Sequence, residues 1–125
     1  MKLLIQFTLV LTGIVHLLPL SGAISALQLK RLYGVEADEI SVALLLRHRA
    51  VLFGLIGAFF IYAAFEPAWQ PVAFIAGFVA VGSFVCLGWF ARGVNPQIAR
   101  VVKIDAALIV VLGAGAIALI GNVLA

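Results

Sequence analysis

Charged residues are scarce in this sequence, and their scarcity argues against a water-soluble globular fold. They make up 10% of the 125 residues, against about 25% in a typical soluble domain. The hydrophobic fraction is 66%, and so short a chain has too much surface for its volume to hide that much apolar area in its own core. The surplus apolar surface must face lipid.

Cysteine and the signatures of common catalytic sites are also nearly or wholly missing. Cys86 is the single cysteine, so an internal disulfide and the paired cysteines of redox or zinc sites are excluded. The sequence has no phosphate-binding glycine loop, no nucleophile elbow and no His-x-x-x-His pair. These absences favour a protein that is not an enzyme without deciding the question. They give no catalytic residue, no metal site and no required cofactor.

The sequence does contain four long apolar runs. Each reaches the roughly 20 residues that cross the hydrocarbon layer as a helix, and open strands are excluded there because their backbone groups would stay unpaired. The helices are predicted at about 3–23, 40–65, 72–91 and 96–124. We therefore predict an all-α fold, an integral membrane four-helix bundle that forms a single domain over residues 1–125. The first run also has the pattern of a signal peptide, but we interpret it as a helix.

Prolines and capping residues mark the helix ends. Pro19 is expected to kink or end the first helix, and Asp38 or Ser41 can cap the second. Asn95 followed by Pro96 is a favourable start for the fourth helix, because asparagine caps well and proline suits the first helical position.

The long connection at 24–37 is amphipathic. Its apolar residues alternate with Lys30 and Arg31 in a pattern typical of a short helix lying in the membrane interface, and Gly34 is expected to end that helix.

Basic residues are distributed unequally between the two sides of the predicted bundle. Lys2 lies where the first helix begins, and seven basic residues lie on the opposite side. These seven are Lys30, Arg31, Arg47, Arg49, Arg92, Arg100 and Lys103. The positive-inside rule then predicts both termini in the periplasm and the basic side in the cytoplasm of a bacterial inner membrane. The expected partners are membrane lipids and not nucleic acid, with a homo-oligomer or a partner membrane subunit left open.

His16 heads the candidate residues of the first helix. At about 100° per residue, Gln6, Thr8, Thr12 and Gly13 all fall within roughly 80° of it. This polar half should face the bundle interior, because lipid cannot satisfy polar groups. His16 is then either a neutral histidine bonded to a nearby hydroxyl or carbonyl, or a histidine that binds a ligand or handles protons.

The segment Arg47-His48-Arg49 lies within the second apolar run. Arg47 shares a helix face with small residues such as Gly54, which mark close packing in membranes, so Arg47 is predicted to point inward. Arg49 aligns with aromatic residues such as Phe53 and could extend to the headgroups instead. The alternative is that all three are ordinary anchors at the membrane boundary.

Asp105 is the only carboxylate inside an apolar run. An unpaired carboxylate there would protonate or attract a cation, and Arg47 and His16 are predicted at similar depth. We therefore predict a polar cluster in the cytoplasmic half, with Asp105 paired to Arg47. The alternative is a surface bridge to Arg100 or Lys103. The candidate binding residues are His16, Arg47, Asp105, Thr12, His48 and Arg49.

Four segments carry a resemblance to a known family. They are His16-Leu-Leu-Pro, Leu32-Tyr-Gly, Arg47-His-Arg-Ala-Val-Leu-Phe-Gly and Lys103-Ile-Asp105. Over nearly its whole length the chain resembles small bacterial four-helix membrane proteins of the DoxX-like kind. The resemblance implies a fold and a membrane accessory role, and some members are tied to quinone-linked redox complexes. Some similar chains are labelled phosphopantetheine adenylyltransferase, but this chain is too short to build the nucleotide-binding domain that such an enzyme needs.

The function predicted from these features is a non-enzymatic accessory module that binds a small molecule or lipid in a polar pocket. One alternative is a small subunit of a quinone-linked redox complex, in which a quinone accepts hydrogen bonds from His16 and Arg47. Another is a small dimeric transporter, although small multidrug transporters carry a carboxylate in the first helix and this chain has only His16 there.

Overall fold

The structure, a computed structural model, describes residues 1–23, 26–35 and 39–124. Its helices are α1 (Lys2–Leu17), α2 (Ala26–Tyr33), α3 (Ile40–Ala64), α4 (Gln70–Phe90) and α5 (Pro96–Leu124), with short 3-10 helices at Leu18–Ala23 and Pro67–Trp69. The predicted all-α fold is confirmed. Among the described residues, four segments are long and apolar enough to cross a membrane: Lys2–Gly22, Ile40–Ala64, Pro67–Phe90 and Pro96–Leu124.

The four long helices alternate in direction, so the bundle has two distinct ends. Met1 and the end of α5 meet at one, where a Cβ on Gly121 would lie 3.6 Å from the Met1 methyl carbon. We call this the terminal end. The opposite end carries α2 and the link between α4 and α5, and we call it the α2 end.

Helix α1 turns its polar half inward, as predicted. Thr8, Thr12 and His16 are buried, whereas Phe7 on the opposite side is 61% exposed. The inward half also contains Gly13, where α1 crosses α3 with almost no space between them. A Cβ on Gly13 would lie 2.7 Å from the carbonyl oxygen of Gly57, so the backbones touch and fix the depth at which α1 sits.

The start of α3 differs from the prediction. Glu39 is the capping residue, and its carboxylate accepts hydrogen bonds from the backbone N–H groups of Ser41 and Val42, both at 3.0 Å. Ser41 is itself the second residue of the helix, and Asp38 lies outside the described residues. These hydrogen bonds favour the ionised carboxylate and lower the pKa of Glu39 below its usual value.

The α2 helix is docked onto the bundle. Leu29 and Tyr33 are buried, and the Nδ2 group of Asn95 donates to the Tyr33 carbonyl oxygen at 2.7 Å. The Oδ1 atom of Asn95 accepts from the Ile98 N–H at 2.8 Å, so one side chain both caps α5, as predicted, and attaches α2 to it. Gly34 ends α2 with a φ of 65°, a conformation that favours glycine.

The other ends agree with the sequence pattern. Helix α1 ends at Leu17, two residues before Pro19, and the chain continues as a 3-10 helix. At the terminal end the buried amide of Gln70 donates to the Ala64 carbonyl oxygen at 3.1 Å and ties α3 to α4. Around the bundle, α3 packs mainly on α1 and α4 mainly on α5, while α3 and α4 share only a small contact.

Candidate functional site

A cavity of about 380 Å³ opens at the α2 end of the bundle. Its wall is assembled from α1, the Leu18–Ala23 helix, α2, α3 and α5. The lining residues are Val15, His16, Leu18, Pro19, Leu32, Tyr33, Arg49, Phe53, Arg100, Val101, Ile104 and Asp105. Most of this wall is apolar, with a few polar groups that converge on it, which is the usual composition of a small-molecule site. We call it the α2-end pocket.

His16 is held in one orientation by its own helix and by two aromatic rings. Its Nδ1 atom lies 2.8 Å from the Thr12 carbonyl oxygen. Because a carbonyl oxygen only accepts, Nδ1 carries the proton, and in the neutral ring Nε2 is left as an acceptor. Phe53 and Phe60 contact the imidazole edge-on, with ring centroids 5.5 and 5.1 Å away. The histidine therefore offers the pocket a fixed hydrogen-bond acceptor.

Arg49 is the basic residue that the structure brings to His16 and Asp105. Its guanidinium carbon lies 4.4 Å from the centroid of Phe53 and 5.2 Å from that of Tyr33. Cation–π contacts of this length hold the guanidinium over the aromatic faces. The positive charge of Arg49 acts electrostatically on both His16 and Asp105.

Arg47 does not point inward, and the predicted pairing of Arg47 with Asp105 is wrong. Arg47 is exposed and outside the α2-end pocket. It does share a face with the buried Gly54, but Ala58 on that face is exposed as well. The nearest buried small residues of α3 are Ala50, Gly54 and Gly57, and at about 100° per residue Arg47 lies at the edge of the face that they form.

Asp105 is half-buried and lines the pocket, as predicted from its place in an apolar run. Arg100 and Lys103 were the alternative surface partners of Asp105. Lys103 is exposed and lies outside the pocket, whereas Arg100 is exposed but contributes to the pocket wall. The pocket wall therefore includes one acidic residue and two arginines.

The two remaining candidates, Thr12 and His48, lie outside the pocket wall. Thr12 is buried, and its hydroxyl donates a hydrogen bond to the Thr8 carbonyl oxygen at 2.8 Å. The carbonyl oxygen of Thr12 in turn accepts the hydrogen bond from His16. Thr12 therefore positions His16. His48 is exposed, which agrees with an anchor at the membrane boundary.

Tyr33 belongs to the pocket and was not among the residues chosen from the sequence. It is 4% exposed, and its hydroxyl has no hydrogen-bond partner in the part of the chain that the structure describes. The available signal was the Leu32-Tyr-Gly segment in the amphipathic connection. That pattern could not reveal that α2 docks on the bundle and turns the ring toward Arg49.

Comparison of the chain with protein-family models, with curated proteins and with solved structures finds no match. Within residues 1–23, 26–35 and 39–124, no group of three or more histidine, cysteine or acidic side chains is arranged to hold a metal ion. The α2-end pocket is therefore the feature from which a function can be inferred.

Proposed function

We propose that this chain is a non-enzymatic membrane module that binds a small molecule by its polar group in the α2-end pocket. Tyr33 supports this most directly, since it lines the pocket and its buried hydroxyl lacks a partner among the described residues. A buried hydroxyl without a hydrogen bond costs about 1–3 kcal/mol. A ligand oxygen that reached this hydroxyl would offset that cost.

The polar groups of the pocket set the chemistry that a ligand needs. Arg49 and the Tyr33 hydroxyl can donate hydrogen bonds, and Nε2 of the neutral His16 ring can accept one. A matching ligand carries an acceptor oxygen together with an O–H or N–H group. The rest of the ligand is apolar, because most of the wall is apolar.

Native mass spectrometry of the protein released from a mild detergent tests this proposal. We expect a bound small molecule on the wild-type chain, and loss of that molecule from Tyr33→Phe and from Arg49→Gln. The matched control is Arg47→Gln, which removes the same charge from an exposed position outside the pocket and should retain the ligand. The proposal fails if no small molecule is found, or if all the variants retain it equally.

A small subunit of a quinone-linked redox complex is the second candidate, and the donor set of the pocket favours it. Tyr33 and Arg49 can donate to the oxygens of a quinone, and the hydroxyl of the reduced quinol can donate to Nε2 of His16. Arg49 here takes the role expected of Arg47. A quinone would supply two-electron redox chemistry, while these residues would bind and orient it. Organic extraction of the purified protein followed by chromatography would reveal a quinone, and an extract without one would reject this candidate.

We further propose a DoxX-like membership and a bacterial inner membrane location, with the α2 end in the cytoplasm and both termini in the periplasm. Support for the orientation comes from the basic residues, of which seven of eight lie in segments at or near the α2 end. Support for the membership comes from the Arg47-His48-Arg49 segment, whose third residue contributes to the pocket. Membrane lipids are then the immediate partners of the exposed apolar surface.

A further inference from the structure

A second cavity, of about 330 Å³, lies between α3 and α4. Arg49, Leu52, Phe53 and Ile56 line it from α3, and Ala80, Ser83, Phe84 and Leu87 line it from α4. Its wall is apolar apart from Arg49 and Ser83, and the Ser83 hydroxyl already donates to the Ala80 carbonyl oxygen at 3.2 Å. We call this cavity the α3–α4 groove. Away from Arg49 it offers no free polar group, so it suits a hydrocarbon chain.

The α3–α4 groove and the α2-end pocket share two wall residues, Arg49 and Phe53. The guanidinium carbon of Arg49 lies 5.2 Å from the ring of Tyr33 in the pocket and 5.3 Å from the ring of Phe84 in the groove. Arg49 thus stands between the two cavities. A molecule whose polar group meets Arg49 from the pocket side has the groove as the adjacent space for its apolar part.

The groove opens toward lipid. Leu52 and Leu87 on its margins are exposed, and α3 and α4 share only a small contact. Toward the terminal end, the interface between α3 and α4 is closed, because Phe60 and Phe74 belong to the main hydrophobic core. A molecule can therefore reach the groove sideways from the surrounding leaflet, at the level of the open half.

The long axis of the groove also runs in the same direction as the hydrocarbon chain of a lipid in the bilayer. Arg49 lies near the α2 end, and Ile56 is seven residues further along α3, about 10 Å toward the middle of the span. A chain in the groove would run from a polar group near the membrane surface toward the bilayer centre. Lipids of the leaflet at the α2 end have the same orientation, so a lipid-like molecule could enter without turning over.

The charge of the shared site selects the polar group. Arg49 and Arg100 contribute two positive charges to the pocket wall, against one carboxylate from Asp105. An acidic group balances this excess, and a carboxyl or phosphate group supplies acceptor oxygens for Arg49 and Tyr33. A singly ionised phosphate monoester also keeps one hydroxyl, which can donate to Nε2 of His16.

We propose that the ligand is an amphiphile with an acidic headgroup and a hydrocarbon chain, which enters between α3 and α4. The headgroup binds in the α2-end pocket and the chain lies in the α3–α4 groove. This inference rests on the proposed function and names the class of molecule that the pocket binds.

The test uses the full chain in nanodiscs of uncharged lipid, with hexadecanoic acid carrying a photoactivatable diazirine in mid-chain as the probe. We expect cross-links to the α3 and α4 residues of the groove. Ala80→Phe fills the groove and should lower the labelling yield about tenfold or more, since each buried methylene changes affinity by about fourfold. The control is Val79→Phe on the neighbouring lipid-facing position, 65% exposed, which should label as the wild type does. If Ala80→Phe does not fold, Ser83→Leu fills the same groove.

The outcomes separate this inference from the proposed function. Labelling that is lost in Tyr33→Phe and Arg49→Gln but unchanged in both groove variants would overturn the groove and leave the pocket standing. Competition by hexadecanol or by an uncharged prenylated quinone as strong as that by unlabelled hexadecanoic acid would overturn the acidic headgroup. Labelling unaffected by pocket and groove variants alike would overturn this inference, and native mass spectrometry would then decide the pocket separately.

Discussion

Replacing Gly57 by alanine tests the crossing of α1 and α3, which sets the position of His16. A Cβ on Gly57 would lie 2.7 Å from the carbonyl oxygen of Gly13 and 3.0 Å from Cγ of Leu17. The first of these partners is backbone, so the two helices must separate to admit the methyl group. Overpacking of this kind costs about 1–3 kcal/mol, while the change from glycine to alanine within a helix contributes about 1 kcal/mol of stability.

The matched control is Gly113→Ala, because a Cβ at Gly113 would meet nothing within 4 Å. Both variants gain the same helix propensity, so the difference between them isolates the overpacking cost. We expect Gly57→Ala to denature several degrees below Gly113→Ala when the folded fraction is followed by size-exclusion chromatography after heating in mild detergent. Gly13→Ala should behave like Gly57→Ala. The double variant should lose less stability than the two single variants together, because one outward movement of the helices makes room for both methyl groups. Equal stability of Gly57→Ala and Gly113→Ala would refute the backbone contact.

Three further predictions concern charge and topology. Arg49→Gln should cost about 1 kcal/mol less stability in detergent in an Asp105→Asn background than in the wild type, because the attraction between the two charges is then already absent; simple additivity, or equal coupling of Asp105 to Arg47, would contradict the site. Glu39→Gln should lower thermal stability at neutral pH. Because folding lowers the pKa of Glu39 from 4.5, the stabilisation is complete above that value and disappears as the pH falls through the lower pKa of the folded state, so a difference from wild type that is unchanged at the lowest pH the fold survives would contradict the capping role. In a Cys86→Ser background, a cysteine tag at either terminus should react with an impermeant thiol reagent in intact spheroplasts, and labelling that requires lysis would reject periplasmic termini.

The sequence alone determined the four long helices and the lipid-facing surface. Those features depend on the number and periodicity of apolar residues, which are properties of single segments. It also determined that Thr8, Thr12 and His16 face inward, because one half of α1 carries the polar side chains before Pro19. The start of α5 at Asn95 and Pro96 followed from local capping chemistry in the same way.

The tertiary structure decided which arginine reaches the site. Arg47 and Arg49 are about 200° apart on the same helix, and the small residues next to Arg47 correctly indicated a packed face. A helical wheel gives the direction of a side chain but not where the packed face ends, and here that face follows Ala50, Gly54 and Gly57 and leaves Arg47 at its edge. The same limit hid Tyr33, since its burial depends on the docking of α2 through Asn95, 62 residues away in the chain. Contacts between distant segments are set by how all the helices pack together, and no single stretch of sequence carries that information.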